Sequence, residues 1–205
     1  MDIVALIMAG GKGTRFGRDT EKPMAIFNDE PLIRRVIEAA KESERIKEIY
    51  VAVTSYSPKT AQEAAKTSVK LIQTDGKGYH ADVQQAVQDA NINCPVLIVS
   101  ADLPLLSGIF LDEIITKYEE SGKPALTVMI PEDALIEFGL SAVSLFEHEG
   151  RMYAVSGINI IDGRRILEQQ EQEVVSSRRP EAVFTVNSAK DLEAAQNYLL
   201  HTKRE

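Results

Sequence analysis

The stretch from Ile3 to Gly17, IVALIMAGGKGTRFG, carries most of the structural information in this chain. It begins with six apolar residues, a run typical of a strand that is buried on both faces of a parallel sheet. Four glycines follow within eight residues, and glycine lets the backbone turn several N–H groups toward an anion. Lys12 and Arg15 add positive charge to the same turn, and a guanidinium group binds two phosphate oxygens at once. The stretch therefore predicts a strand that leads into a polyphosphate-binding loop.

Two familiar phosphate-binding loops do not fit this spacing. In a P-loop the lysine precedes Ser or Thr, whereas Lys12 precedes Gly13. A dinucleotide fingerprint requires glycine where this chain has Phe16, so a dinucleotide site is a disfavoured alternative. A second alternative is that the glycines only form a tight turn, but Lys12, Arg15 and Lys22 cluster in an otherwise acidic chain. We therefore favour local capture of a polyphosphate.

The composition argues against several classes of protein. The 205 residues suffice for one domain with a sizeable core, and 44% hydrophobic and 26% charged residues are ordinary for a globular protein. A net charge of −8 disfavours general binding to nucleic acid or to a membrane surface. The single cysteine, Cys94, cannot form a disulfide within the chain, and the N-terminal apolar run is too short for a signal peptide or a membrane span. We expect a cytoplasmic protein.

Strand and helix patterns alternate along most of the chain. Apolar runs predict strands at 3–8, 49–53, 69–72, 96–99, 125–130, 156–161 and 183–186. Helices are predicted from Pro31, from Pro58, at 81–90, at 107–120, at 164–170 and after a capping box formed by Ser188 and Asp191. Residues 132–150 break the alternation and contain a hairpin turn at 148–150. We predict a single α/β domain over residues 1–205, with a mainly parallel central sheet and a late, irregular hairpin insertion.

In such sheets, ligands bind outside the carboxyl ends of the strands. Asp102 follows the fourth predicted strand, and its carboxylate suits a hard cation such as Mg²⁺. Capping of the next helix is the alternative role, although Ser107 is already a good cap there. Asn187 follows the last predicted strand, where its amide oxygen can complete a metal site or simply stabilise a turn. The sequence thus predicts a magnesium site on Asp102, with Asn187 as a candidate second ligand.

A second glycine turn, TDGKGY at 74–79, follows the third predicted strand. Its Lys77 can reach a phosphate, or its backbone can read the edge of a base, while a plain turn is the alternative. Asp82 in the following helix either takes part in nucleotide binding or only interacts with the helix dipole. Gly157 and Asn159 lie where an acceptor or a ribose would meet the sheet, although Asn159 equally fits a solvated strand position.

The chain lacks clustered histidines and any recognisable Ser/His/Asp or Cys/His arrangement. An attacking alcohol would gain from such a base. A phosphate monoester needs none, because its second pKa is about 6 and it is ionised at neutral pH. The remaining problem is electrostatic, since two anions must meet at phosphorus. Lys12, Arg15, Lys22 and a cation on Asp102 address that problem, so the set indicates phosphate-to-phosphate transfer.

The loop at 9–15 with Lys22-Pro23 resembles the signature loop of the nucleotidyltransferases that make NDP-sugars and nucleotide-linked cofactors. The segment 186–192, VNSAKDL, is similar to the closing Asn-x-x-x-Asp-Leu motif of the molybdenum-cofactor guanylyltransferase branch. Segments 76–82, 125–131 and 156–160 resemble the archaeal adenosylcobinamide-phosphate guanylyltransferases. The resemblance extends from residue 1 to about residue 200. One departure is Glu21, where the sugar-phosphate enzymes usually carry proline before the Lys-Pro pair.

This resemblance implies a Rossmann-like nucleotidyltransferase fold and transfer of GMP from GTP to adenosylcobinamide phosphate, with Mg²⁺ as cofactor. The implied partners are GTP and a phosphorylated corrinoid, and a homodimer is left open. The implied catalytic residues are Lys12, Arg15 and Lys22, the metal ligands Asp102 and Asn187, and the acceptor-binding residues Gly157 and Asn159. The implied nucleotide-binding residues are Ala9, Gly10, Gly11, Gly13, Thr14, Thr74, Asp75, Gly76, Lys77, Gly78 and Asp82.

Three alternatives remain open from the sequence. The first is the same chemistry on molybdopterin, a sugar phosphate or a phospho-alcohol, because residues 132–155 match the archaeal enzymes poorly and are the candidate acceptor pocket. The second is an NADP-binding oxidoreductase, against which the displaced glycine argues. The third is a non-catalytic nucleotide-binding regulator, for which the set of cations and Asp102 would be superfluous.

Overall fold

The longer strands and helices follow the predicted order as far as residue 131, whereas the short antiparallel pair at 26–27 and 30–31 was not predicted. The computed structural model describes residues 2–11, 21–142 and 144–202. Its strands are β1 Ile3–Met8, β2 Ile26–Phe27, β3 Glu30–Pro31, β4 Ile46–Val53, β5 Lys70–Gln73, β6 Pro95–Ser100, β7 Ala125–Pro131, β8 Phe146–His148, β9 Arg151–Asp162 and β10 Gln172–Ser176. Its α-helices are α1 Leu32–Glu42, α2 Pro58–Ala64, α3 Tyr79–Asp89, α4 Gly108–Ser121, α5 Glu132–Glu137, α6 Pro180–Val183 and α7 Ala189–Thr202.

The main sheet has the order β10-β7-β9-β6-β1-β4-β5, with β8 paired to β9. Strands β6, β1, β4 and β5 are mutually parallel, as are β10 and β7, whereas β9 runs antiparallel to β6 and β7. The sheet is therefore mainly parallel, as predicted. Because β4 and β6 flank β1 on opposite sides, the chain changes winding direction at β1, and the crevice for a ligand lies at the carboxyl ends of β1 and β6.

Helices cover both faces of the sheet. One apolar cluster joins the sheet to α1 and α4 through residues such as Ile33, Ile37 and Ile114. A second cluster joins the opposite face to α3 through Val83 and Val87. The unbroken apolar composition of β1 follows from this arrangement, because the side chains on both faces of the strand are buried. No helix among the described residues is long and apolar enough to cross a membrane.

The later part of the chain departs from the predicted elements. Residues 132–137 form α5 rather than irregular chain, and a helix of six residues is too short to show a helical period. The predicted helix at 164–170 is only a 3₁₀ turn at Gly163–Arg165, and it is followed by β10, which the sequence pattern did not reveal. The predicted strand at 183–186 is wrong, since Pro180–Val183 form α6. The hairpin turn is confirmed: Glu149 and Gly150 both have positive φ between β8 and β9.

An irregularity in β9 reaches the ligand crevice. Thr127 pairs with Asn159 but Met129 pairs with Val155, so β9 has extra residues at this point. The Ser156 hydroxyl compensates by donating to Val128 O at 3.0 Å and accepting from Ile158 N at 3.1 Å. Gly157 has φ +82°, and a Cβ on it would lie 2.9 Å from Ser100 Cβ. This bulge therefore presses β9 against the end of β6, as bulges beside functional sites often do.

Candidate active site

A cleft of about 420 Å³ opens at the carboxyl ends of β1 and β6. Its size is that of an ordinary small-molecule site. Its walls come from the end of β1, the start of the loop after it, the second glycine turn and the end of β6. The wall residues predicted from sequence are Ala9, Gly10, Gly11, Lys22, Thr74, Gly76, Lys77, Gly78, Asp82 and Asp102.

The described start of the first loop is tightly packed against β4. The Thr54 hydroxyl donates to Gly10 O at 2.7 Å, and Ala9 N donates to Ala52 O at 2.9 Å. A Cβ on Gly10 would lie 2.5 Å from Thr54 Cγ2, whereas one on Gly11 would meet nothing within 4 Å. Glycine at position 10 is thus required by packing. The predicted residues Lys12, Gly13, Thr14 and Arg15 lie outside the described part of the chain.

The second glycine turn is organised by Asp82. The buried Asp82 carboxylate accepts from Gly76 N at 2.9 Å and from Lys77 N at 3.1 Å. Gly76 and Gly78 have φ +71° and +122°, which side chains rarely adopt. Asp82 therefore holds the turn in place from α3, a role more specific than a favourable helix dipole.

The remaining predicted residues of that turn lie at its two ends. Thr74 is buried beside β4, where its N–H donates to Val53 O at 2.8 Å. Lys77 lines the cleft and forms an exposed ion pair of 2.6 Å with Asp75, which does not line the cleft. This contact lowers the pKa of Asp75 and raises that of Lys77. An exposed pair of this kind contributes little to stability.

Lys22, Asp102 and Asn187 meet although they are far apart in sequence. Lys22 Nζ forms an ion pair with Asp102 Oδ2 and lies 3.4 Å from Asn187 Oδ1. Val186 N donates to Asp102 O at 2.9 Å, which ties the segment before Asn187 to the end of β6. One half of the predicted capping box is present, since Asp191 N donates to the Ser188 hydroxyl at 3.3 Å, whereas the Asp191 carboxylate accepts from Asn187 N at 2.9 Å and from the Ser188 hydroxyl at 3.0 Å. The side-chain oxygens of Asp102 and Asn187 therefore lie within reach of one cation.

This donor set fits a hard divalent cation. Asp102 Oδ1 is buried and lacks a hydrogen-bond partner among the described residues, although buried polar atoms are normally paired. One carboxylate and one amide oxygen, with the rest of the shell supplied by phosphates and water, is a typical magnesium environment. The described residues hold no group of three or more His, Cys, Asp or Glu side chains placed for a metal, so a protein-only cage is not offered there.

Glu21, which departs from the sugar-phosphate enzymes, has a structural explanation. Its carboxylate accepts from Lys59 N at 2.9 Å, from Thr60 N at 2.7 Å and from the Thr60 hydroxyl at 2.7 Å. These N–H groups belong to the first turn of α2, which has no side-chain cap of its own. Glu21 therefore caps α2 across the chain and fixes the backbone that carries Lys22.

A second cavity of about 260 Å³ adjoins the first at Ser100 and Asp102. Gly157 and Asn187 also line it, and further lining residues are Phe146, Val155, Ser141, Ala142 and Ser144. The segment 132–155, which the sequence offers as the candidate acceptor pocket, thus contributes part of the wall of this cavity. Asn159 does not line it: its Oδ1 accepts from the Thr127 hydroxyl at 2.7 Å, and it faces a separate cavity beside α3.

Tyr79 is a candidate that sequence reasoning quoted but did not select. The residue is 43% exposed overall and lines the first cleft, yet desolvation of its hydroxyl raises the pKa of Tyr79 to about 12, an effect that Asn159 partly opposes and the Asp102 charge reinforces. The phenol is protonated at neutral pH, as an ordinary tyrosine is, and can donate a hydrogen bond. Its position directly after Gly78, at the first residue of α3, was the available signal.

Comparisons with known proteins identify the family to which the chain is similar. Residues 5–175 match the family model described as MobA-like NTP transferase domain. The adenosylcobinamide-phosphate guanylyltransferase of Methanocaldococcus jannaschii is 30% identical over 205 residues, which cover 95% of this chain and 96% of that protein. A probable molybdenum cofactor guanylyltransferase of Pyrococcus horikoshii is 29% identical over 132 residues, 61% of each chain.

The fold is also that of a solved nucleotidyltransferase. The structure of CMP:2-keto-3-deoxy-manno-octonic acid synthetase complexed with CTP superimposes with a TM-score of 0.71 and covers 98% of this chain and 100% of its own. At 13% identity this likeness concerns the fold alone.

Proposed function

The chain belongs to the MobA-like NTP transferase domain family and is a nucleotidyltransferase, and from this premise we propose that it transfers GMP from GTP to adenosylcobinamide phosphate. The products would be adenosylcobinamide-GDP and pyrophosphate. The observation that carries the reaction type is the Lys22–Asp102–Asn187 cluster at the junction of two cavities. The choice of acceptor is supported by the relative of Methanocaldococcus jannaschii, which matches over nearly the whole of both chains.

In the proposed reaction the first cleft binds the nucleotide. The loop at 10–15 cradles the triphosphate, with Lys12 and Arg15 neutralising it. The turn at 74–79 and α3, which carries Asp82, read guanine and ribose. Backbone N–H groups in a glycine turn suit both tasks. Tyr79 lines this cleft and also the neighbouring cavity that Asn159 faces.

The second cavity would bind the acceptor. An oxygen of the acceptor phosphate attacks the α-phosphorus in line, a new P–O bond forms, and the bond to the β-phosphate breaks to release pyrophosphate. Lys22 contacts the α-phosphate and supports the charge that develops there. Asp102 and Asn187 would hold Mg²⁺, which supplies further charge neutralisation. Gly157 lines this cavity, whereas Asn159 and Tyr79 line the separate cavity beside α3.

One assay tests the proposal and its alternatives together. Pyrophosphate release is measured with GTP, ATP, CTP or UTP, each combined with adenosylcobinamide phosphate, molybdopterin, a sugar phosphate or a phospho-alcohol. We expect release with GTP and adenosylcobinamide phosphate. Release only with another pair would replace the proposed substrates, and no release with any pair, together with NADPH binding, would reject nucleotidyl transfer.

Replacing Lys22 tests the proposed mechanism. We predict that Lys22→Ala lowers turnover at least about tenfold, because a lost charge-assisted contact in the transition state costs upwards of about 1.4 kcal/mol. Lys66→Ala in the turn after α2 is the matched control and should leave turnover unchanged, since Lys66 is exposed and pairs with Glu63 at the surface. Unchanged turnover in Lys22→Ala would remove this lysine from the mechanism.

A further inference from the structure

The ammonium group of Lys22 stands where the proposed metal would stand. It pairs with Asp102 Oδ2 and lies 3.4 Å from Asn187 Oδ1, so it occupies the space between the two candidate metal ligands. The pairing leaves Asp102 Oδ1 buried and without a partner in the described part of the chain. A lysine and a divalent cation on the same carboxylate oxygen would repel each other, so the two occupants exclude each other.

We propose that Lys22 is the resident cation of the metal site, which it holds until a nucleoside triphosphate draws it away. Metal binding then depends on the nucleotide: the phosphates take Lys22, and Asp102 and Asn187 become free for the metal. This inference rests on the proposed use of Asp102 and Asn187 as metal ligands. It makes Lys22 a positioning residue before the reaction, in addition to its proposed contact with phosphate during it.

The surroundings of Lys22 allow such an exchange by the side chain alone. Its backbone belongs to the 3₁₀ turn Lys22–Met24, which contains Pro23. The preceding residue, Glu21, is anchored to α2 by its carboxylate. The side chain is 23% exposed and lines the nucleotide cleft, so phosphates bound there lie within its reach. A lysine is a flexible point charge, which suits movement between two anions better than a planar guanidinium does.

The exchange also explains why the carboxylate tolerates burial. The Asp102 side chain is only 9% exposed, and a buried charge without a counter-ion is strongly destabilising. With Lys22 in place before the nucleotide and the metal in place after it, Asp102 has a cation at every stage. The unpartnered Oδ1 is what the lysine leaves unsatisfied, because the ammonium group contacts Oδ2.

The test measures Mn²⁺ binding to the protein without nucleotide or acceptor, by the loss of the free-ion electron paramagnetic resonance signal. We expect Lys22→Gln to bind Mn²⁺ at least tenfold more tightly than the wild type, since the amide can still donate to Asp102 without blocking a cation. Lys22→Arg retains the charge and should stay within threefold of the wild type. Lys77→Gln removes a positive charge from the rim of the same cleft and should also stay within threefold.

Adding Asp102→Asn to Lys22→Gln should abolish the gain. A gain in Lys77→Gln as large as that in Lys22→Gln would overturn the proposal, because it would reflect the general charge of the cleft. Equal Mn²⁺ affinity in the wild type and Lys22→Gln, with thermal unfolding showing both folded, would overturn it as well.

A measurement on the wild type covers the case in which Lys22→Gln does not fold. The ε-carbon resonance of Lys22, assigned in ¹³C-lysine-labelled protein, should shift with α,β-methylene-GTP and stay unchanged with Mg²⁺ alone. A shift with Mg²⁺ alone would contradict the proposal. The Mn²⁺ measurement involves no nucleotide and no acceptor, so its outcome stands even if the proposed substrates are wrong.

Discussion

At the scale of single residues, the glycines of the first loop have different reasons to be glycine. Composition alone marks the whole stretch as a backbone that must approach a ligand. The structure separates Gly10, whose Cβ would lie 2.5 Å from Thr54 Cγ2, from Gly11, around which there is open space. The requirement at Gly10 depends on a residue 44 positions away, so no local pattern contains it.

This difference predicts a pair of opposite outcomes. Gly10→Ala should lower the free energy of unfolding by about 1–3 kcal/mol, the usual cost of overpacking, and weaken GTP binding by displacing the loop. Gly11→Ala is the matched control and should change the free energy of unfolding far less. Thr54→Ser removes Cγ2 and retains the hydroxyl that donates to Gly10 O. The double variant Gly10→Ala/Thr54→Ser should therefore recover much of the stability that Gly10→Ala alone loses. Urea unfolding measures all three, and a rescue that fails would place the clash elsewhere.

At the scale of elements, the segment after β9 shows how side chains override a helical pattern. Asp162 accepts from Arg164 N, Nε and Nη2 at 3.1, 2.8 and 2.7 Å. Gln170 closes the segment by accepting from Asp162 N at 2.9 Å and donating to Asp162 O at 3.0 Å. These bonds confine the regular turn to Gly163–Arg165 and direct the chain into β10 beside β7. The apolar and polar spacing of 164–170 could not reveal bonds that begin outside it.

The same segment gives a pH-dependent prediction. The Arg164 guanidinium lowers the pKa of the buried Asp162 carboxyl, so its contribution to stability is present above the unfolded pKa of about 3.9 and is lost as the pH falls through the lower folded value. Asp162→Asn should cost about 1–3 kcal/mol in the free energy of unfolding at pH 7, and this difference from the wild type should shrink below about pH 4. Urea unfolding at several pH values measures it.

Asp133→Asn is the comparison for that experiment, since Asp133 pairs with Arg178 but is exposed. Its cost at pH 7 should be smaller, because exposed ion pairs contribute little. A difference between wild type and Asp162→Asn that stays constant down to pH 3 would contradict the assigned cause.

At the scale of the whole molecule, the sequence predicted the half of the site that is local and missed the half that is assembled. The strand-end rule located Asp102, because β6 is a long apolar run with a carboxylate two residues after it. Asn187 was found for a wrong reason, since no strand precedes it and the Val186–Asp102 backbone bond positions it instead. The sequence offered residues 132–155 as a candidate acceptor pocket but could not predict the walls of the second cavity, because α5, the loop after it and the β9 bulge contribute short pieces whose proximity only the fold creates.

That two cavities meet at Asp102 predicts that donor and acceptor affinities can be changed separately. Phe146 lies on β8, is 50% exposed and lines only the second of the two cavities. Phe146→Ala should raise the KM for the acceptor about tenfold, since lost apolar contact of this size is worth about 1–2 kcal/mol, and leave the KM for GTP within about twofold. Ile109→Ala, which truncates an exposed apolar residue on α4, should change neither constant. Because both cavities share Asp102, Asp102→Asn should instead reduce kcat with either substrate saturating, and a rise in the KM for GTP alone in Phe146→Ala would contradict the division of the site between donor and acceptor.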